Sequence, residues 1–402
     1  MTIPTESENP SIPQPLGDEK FHPRKVLAHD LSSLFVVLGI GLVWIVFETQ
    51  DSVFLTSRNL SNLMLQMAVV AVLAIAVTLV MILGEIDLSL GSVTGVTSAF
   101  LGVLLTNRHW PFVSALIATL FLGLVIGLFQ GAITVLVGVP SFLVTLGGFL
   151  TWAGVQYAMV GSAGQLPVIN STLAAVGNSY ISQPVAWIGS SLIVLIVTFT
   201  EFARVNERRR AGIESPFTPS LVRVLIVGVV LIATVSYLNS NFGVPFVLVL
   251  FLGISISLGW VTQRTQFGRD IYAIGGSAEA SRRAGIPVGH VRIMVLGISG
   301  LLAGVAGVIS TSNLYSTSSN IGGGLLLLES IAAAVIGGTS LFGGRGRIYN
   351  ALLGALLVAS IENGLGLLGE PISTQQIATG AILVIAVSID AVSRRRRAAS
   401  GR

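Results

Sequence analysis

Runs of apolar residues about as long as a bilayer is thick recur from residue 31 to residue 391, and no other feature limits the fold as much. Twelve of them read as helices: 31–48, 62–83, 90–106, 112–137, 141–160, 185–200, 221–239, 244–261, 293–312, 324–342, 350–368 and 375–391. Several are shorter than the roughly 20 residues of a plain crossing. Some are therefore expected to be broken, tilted or re-entrant, with a count between ten and twelve. Only 10% of the 402 residues are charged and 52% are hydrophobic, whereas a soluble domain is roughly a quarter charged. The expected fold class is an all-α polytopic membrane protein.

The residues that are missing exclude several kinds of chemistry. There is no cysteine, hence no disulfide, thiolate metal site or thiol nucleophile. The four histidines, His22, His29, His109 and His290, are scattered, which argues against a histidine-rich metal site. Lysine occurs only as Lys20 and Lys25, far from any glycine loop. A P-loop needs such a lysine to reach the phosphates, so ATP bound in that way is excluded. No nucleophile–base pair is evident for an embedded enzyme. Neither a cofactor nor a metal is expected.

Residues 1–30 are polar and Pro-rich and lack the charged–apolar–small order of a cleaved signal peptide; a disordered tail is expected there. A membrane domain is expected at 31–391 and a basic tail at 392–402. Arginine placement sets the orientation. "RVNERRR" (204–210) with Arg223 forms one basic loop. Arg264, Arg269, Arg282, Arg283 and Arg292 mark a second, within 262–292, and "SRRRRAASGR" ends the chain. The turns 107–111, 161–184, 239–243, 313–323 and 369–374 carry only Arg108 among them. Basic loops and both termini are expected in the cytoplasm, those turns outside.

Four stretches carry polar residues where hydropathy alone would draw unbroken membrane. In "GEIDLSLGS" (84–92), Glu85 and Asp87 sit between two apolar runs, where each charge costs a few kcal/mol. Either the chain breaks there and Asp87 or Ser89 caps the next helix, or the break lines an aqueous path and offers hydrogen bonds to a polar solute. The two readings are compatible. "VPSFLVTLGGFLTWAGVQYAMVG" (139–161) holds Thr145, Trp152, Gln156 and Tyr157 within a span; its aromatics suit a sugar face or a membrane-interface belt. "GRDIYAIGGSAEASRRAGIPVGHVR" (268–292) contains a short helix. Ser277 suits the N-cap, Glu279 the first turn, Arg282 and Arg283 the last, Gly285 the C′ position, and Pro287 blocks continuation. A helix of roughly two turns is not stable alone, so its own bundle or a partner must hold it. In 329–368, Glu329 and Glu362 lie in apolar surroundings. "GGTSLFGGRGR" (337–347) cannot be regular helix throughout; its Arg345 and Arg347 suit an anion nest or topology anchors. The spacing of Gly123, Gly127 and Gly131, and of Gly300 and Gly304, predicts close helix packing.

Taken in order over roughly 55–390, these stretches resemble the permease subunits of bacterial ABC importers for monosaccharides, the ribose/xylose/galactoside type. "GEIDLSLGS", "VPSFLVTLGG", "GRDIYAIGGSAEASRRAGI", "AAAVIGGTSLFGGRGRI" and "ENGLGLL" carry the likeness. Glu279-Ala280-Ser281 followed by Gly285 resembles the importers' coupling loop, with Ser281 replacing the usual alanine. Glu85, and the extra length at 180–230, which reads as an insertion, resemble the xylose branch. The resemblance implies a non-enzymatic transporter subunit in the bacterial plasma (inner) membrane. Its partners would be a cytoplasmic ABC ATPase subunit, an extracytoplasmic sugar-binding protein, a second permease copy and the lipid bilayer, with no nucleic acid. Carried over to this chain, Ser277, Glu279, Arg282 and Gly285 would couple to the ATPase. Asp87, Ser89, Thr145 and Asn363 are the candidates for the solute pathway. The expected solute is D-xylose; another sugar, a nucleoside or a branched-chain amino acid would fit the same architecture. A proton-driven transporter using Glu85, Asp87 or Glu329 is the rival from another class.

Overall fold

A computed structural model describes residues 23–210 and 218–399. Fifteen helices make up most of it. The first five are α1 (Pro23–Gln50), α2 (Ser57–Ile82), α3 (Leu90–Gly102, continued by a π turn to Asn107), α4 (Phe112–Val137) and α5 (Ser141–Val160). Then follow α6 (Ser171–Asn178), α7 (Gln183–Arg210), α8 (Thr218–Asn239), α9 (Phe246–Arg264), α10 (Gln266–Gly276) and α11 (Ala278–Arg283). The last four are α12 (Val288–Leu314), α13 (Gly324–Ile336), α14 (Ile348–Leu367) and α15 (Ile372–Ala399). Two short antiparallel ribbons join loops: β1 (Gln165–Pro167) with β4 (Ser316–Ser318), and β2 (Tyr180–Ile181) with β3 (Val244–Pro245).

Nine helices among the described residues are long and apolar enough to cross a membrane, and Leu34–Gln50, Gly324–Ile336 and Ile372–Ile385 are shorter apolar helices. Together they match the twelve apolar runs, and the fold is an all-α polytopic membrane protein. Local chemistry sets many of the ends. Pro111 and Pro140 precede α4 and α5, and Gly138, in the left-handed region at φ 78°, closes α4. The Thr56 hydroxyl caps α2 through Asn59 N–H. One end differs from expectation. The run 324–342 is helical only to Ile336, because Gly337 and Gly338 (φ 87°) turn the chain into the glycine loop.

Helix α2 is the axis of the molecule and is buried almost all round. Helices α2–α5 and α12–α15 are arranged alike. In each set a long helix is followed by a short one that starts at a break. Helices α2 and α12 run antiparallel: Asn313 near the end of α12 reaches Leu65 near the start of α2, and Arg292 near the start of α12 reaches Glu85 just beyond α2. The sets interlock: α12 packs on α3 and α4, while α2 packs on α13 and α14. Gly123 faces Gly300, and Gly127 faces Leu296 and Gly297, so closely that an added Cβ would strike backbone. The glycine spacing thus does what it predicts, and lets α4 and α12 touch main chain to main chain.

Helices α7 and α8 form a peripheral hairpin. At one end Glu201 binds Arg204 at 2.8 Å and Arg223 at 2.6 Å. At the other, Tyr237 Oη donates to Leu55 O and the Ser57 hydroxyl to Tyr237 O. The outward faces of α4, α7 and α8 are apolar, with Phe121, Phe129, Ile188, Leu195, Phe199, Leu225 and Val229 exposed, as lipid contact requires. Of the tail expected at 1–30, residues 1–22 lie outside the described residues, and α1 begins at Pro23. Residues 400–402 of the basic tail and residues 211–217 of the first basic loop also lie outside them.

Candidate functional site

The chain breaks after α2. Gly84 takes φ 83°, and residues 86–88 then run without helical bonds until α3 begins. Buried peptide groups in such a break need partners, and α5 supplies them. Thr145 Oγ1 accepts Leu88 N–H at 3.0 Å, and Ser141 Oγ lies 3.4 Å from Ile86 N. Asp87 is 7% exposed. Its Oδ1 accepts from Ser89 N–H (2.9 Å) and Ser89 Oγ (2.7 Å), and Ser299 Oγ of α12 lies 3.2 Å from Oδ2. Asp87, rather than Ser89, therefore serves the start of α3: the Ser89 side chain makes no cap bond. Three of the four expected pathway residues, Asp87, Ser89 and Thr145, come together here.

A second break faces the first. The loop from β4 to α13 crosses α3, where Gly322 O would lie 2.5 Å from a Cβ at Gly91. Gln156 of α5 holds that loop, donating from Nε2 to Ser318 O and Ile321 O, each at 2.8 Å. Two helix starts, α3 and α13, thus abut, both braced by α5. A helix start favours oxygen lone pairs, because its first N–H groups have no partner within the helix and the dipole is positive there. The outer face of α5 is open: Leu143, Leu150 and Tyr157 are exposed, and nothing lies within 4 Å of a Cβ added at Gly147 or Gly154. Trp152 packs partly buried against the core.

Asn363 lies elsewhere. It exchanges hydrogen bonds with Asn59 (2.7 and 3.2 Å) and donates to Gln66 Oε1 at 3.1 Å. Asn59 is in the first turn of α2 and Asp87 lies beyond its last residue, Ile82, which is about 35 Å from Asn59 along the helix. Asn59 and Gln66 carry no local signal of this pairing. Glu329 of α13 and Glu362 of α14 are half-buried neighbours, and Thr379 of α15 reaches Glu362 at 3.5 Å.

At the arginine-rich face the loop expected at 262–292 is shorter, because α9 runs to Arg264 and α12 starts at Val288, and two short helices, α10 and α11, fill it. Ser277 caps α11, its hydroxyl accepting Ala280 N–H. Glu279 binds Arg282 at 3.1 Å and Arg283 at 3.2 Å, all three exposed. Gly285 takes φ 84°, with Gly285 N–H bonded to Arg282 O and Ile286 N–H to Ser281 O, a C-terminal Schellman closure. The four coupling candidates, Ser277, Glu279, Arg282 and Gly285, therefore form one exposed unit. Beside it lies a shallow groove of about 340 Å³ lined by Tyr272, Ala273, Gly276, Ala280, Ala284 and Ile286. Burial raises the Tyr272 phenol above its ordinary value, so it remains a donor and bonds Gly346 O at 2.7 Å.

Glu85 has a partner that no local pattern foretold. Its Oε1 lies 2.7 Å from Arg292 Nε, although that N–H does not point along the contact. The ion pair joins the break to the first turns of α12.

Comparison with known proteins places the whole assembly. Residues 59–387 match a family model described as branched-chain amino acid transport system / permease component. The xylose transport system permease protein XylH of Escherichia coli (strain K12) is 34% identical over 366 residues, 90% of this chain and 93% of the relative. XylH of Haemophilus influenzae is 32% identical over 375 residues, covering 92% and 99%. The ribose import permease protein RbsC of E. coli K12 is 29% identical over 377 residues, covering 94% and 98%. No solved structure matches. The chain belongs to this permease family.

Proposed function

We propose that this family member is the permease subunit of an ABC importer that carries a monosaccharide, D-xylose, into the cytoplasm across the bacterial inner membrane. One observation carries the reading: likeness to two xylose permeases over nine-tenths or more of this chain and of each relative. The sequence supports it by what it lacks. The chain has no P-loop lysine of its own, so on this reading a separate ATPase subunit supplies the energy and an extracytoplasmic sugar-binding protein delivers the solute. The arginine-rich face is cytoplasmic on this reading, with both termini.

Placement supports these roles. Ser277, Glu279, Arg282 and Gly285 form the exposed unit that meets the ATPase. The open apolar face of α5, where Gly147 and Gly154 leave space beside Leu143, Leu150 and Tyr157, receives the second permease copy. Asp87, Ser89 and Thr145 form the inner part of the solute path. In this conformation Asp87 is engaged by Ser89 and Ser299, so a sugar hydroxyl reaches it only when α12 draws back from the break. Asn363, with Asn59 and Gln66, offers carboxamides to an uncharged polyol at the outer end.

Proteoliposomes holding the complex purified through this chain test the reading. D-xylose uptake is expected to require ATP inside and the binding protein outside, and to survive an uncoupler. Uptake that ignores ATP and collapses with the uncoupler would instead support the proton-driven class.

A further inference from the structure

Three stretches that stand far apart in sequence meet at one point in space. Gly84 of the break, Gly275 of α10 and Gly343 of the glycine loop touch through their backbones. A Cβ at Gly343 would lie 2.7 Å from Gly275 O and 2.8 Å from the Gly84 Cα; one at Gly275 would strike Ile82 O. The contact is also bonded. Gly344 N–H donates to Ile82 O, the last residue of α2, at 2.8 Å, and Tyr272 of α10 donates to Gly346 O. Helix α10 is thus seated on the end of α2 by main chain, where even one methyl group has no room.

The other half of the coupling segment is tied to the same break by charge. Arg292 holds Glu85, and Ser299 reaches Asp87. These two α12 residues are seven apart, two turns on one helix face, and α12 follows directly on α11, Gly285 and Pro287. A rigid-body tilt of α12 therefore moves both contacts together. The Glu85 side chain is 11% exposed and that of Arg292 28%, so each charge depends on the other for compensation.

We propose that Glu85 and Arg292 are positioning residues for energy coupling: the pair makes the α2–α3 break follow the coupling segment, so that movement of α10–α12 reaches Asp87. The proposal rests on the importer reading and adds to it where the stroke enters the membrane. It also gives the glycine loop 337–347 a role as the socket for α10, in place of an anion nest.

Charge reversal tests it. Sugar taken up per ATP hydrolysed is measured in the reconstituted complex for Glu85→Arg, Arg292→Glu and the double reversal, each normalised to inserted protein. Each single reversal is expected to lower that ratio at least about fivefold while hydrolysis continues, the size of an ordinary coupling between sites. The double reversal is expected to restore it to within about twofold, as interacting neighbours do in a double-variant cycle. Native ratios in the single variants, or no recovery in the double, would overturn the proposal. Should either reversal fail to insert, the same ratio is measured for Glu85→Gln, which keeps the size and removes the charge. A lowered ratio then supports the proposal, and a native one overturns it. Melting of the isolated permease across the cycle is a separate readout: additive effects at 85 and 292 would also overturn it. An unsubstituted complex that hydrolyses ATP without taking up sugar would refute the importer reading, while the melting cycle still tests the pair.

Discussion

Asp87 concentrates the question at the scale of single residues. Its carboxylate satisfies Ser89 and Ser299 in a segment where unpaired peptide groups are costly. Asp87→Asn keeps the shape and removes the charge. It is expected to lower uptake at least about tenfold, one charge-assisted bond being worth roughly 1.5–3 kcal/mol, while membrane abundance, read by blotting, stays normal. Loss of abundance would make Asp87 a helix cap and nothing more. Asp87 and Ser89 were legible in the sequence because charge within an apolar run is anomalous on its face. Arg292 as the partner of Glu85, and Gln156 as the brace for the α13 loop, were not. Each joins positions more than 150 residues apart, and no local pattern encodes such a meeting.

Elements were legible where local chemistry decides them. Pro111, Gly138, Pro140 and Gly161 punctuate α4 and α5, and both ranges match the apolar runs to the residue. The cap and closure of α11 are equally local. The end of α13 was not, because apolar residues continue past Ile336 and only the paired glycines stop the helix. Two predictions belong to this scale. Gly123→Leu should abolish folded protein in the membrane, since its Cβ would strike the Gly300 carbonyl, whereas Gly253→Leu, with nothing within 4 Å, should be neutral. Detergent-extracted monodisperse yield distinguishes the two. Gly285→Val forces a β-branched residue to φ 84°, strained by at least about 1 kcal/mol. It should leave insertion intact and uncouple uptake from ATP hydrolysis; unchanged coupling would remove α11 from the energy path.

At the scale of the whole molecule, the described residues centre on two interlocked sets of helices, each with a helix that starts inside the fold, and α10 is seated where α2 ends. The membrane class was plain from apolar run length. The interlock was hidden, because it depends on which helices touch and not on what each one is. The central claim is that this whole serves xylose uptake, and the most direct measurement is radiolabelled D-xylose entry into cells with and without the chain, with unlabelled ribose, galactose and leucine as competitors. The account predicts that uptake is lost on deletion, returns with the gene, and is competed by xylose alone. Xylose entry unchanged by deletion, together with selective loss of ribose, galactose or leucine uptake, would contradict it.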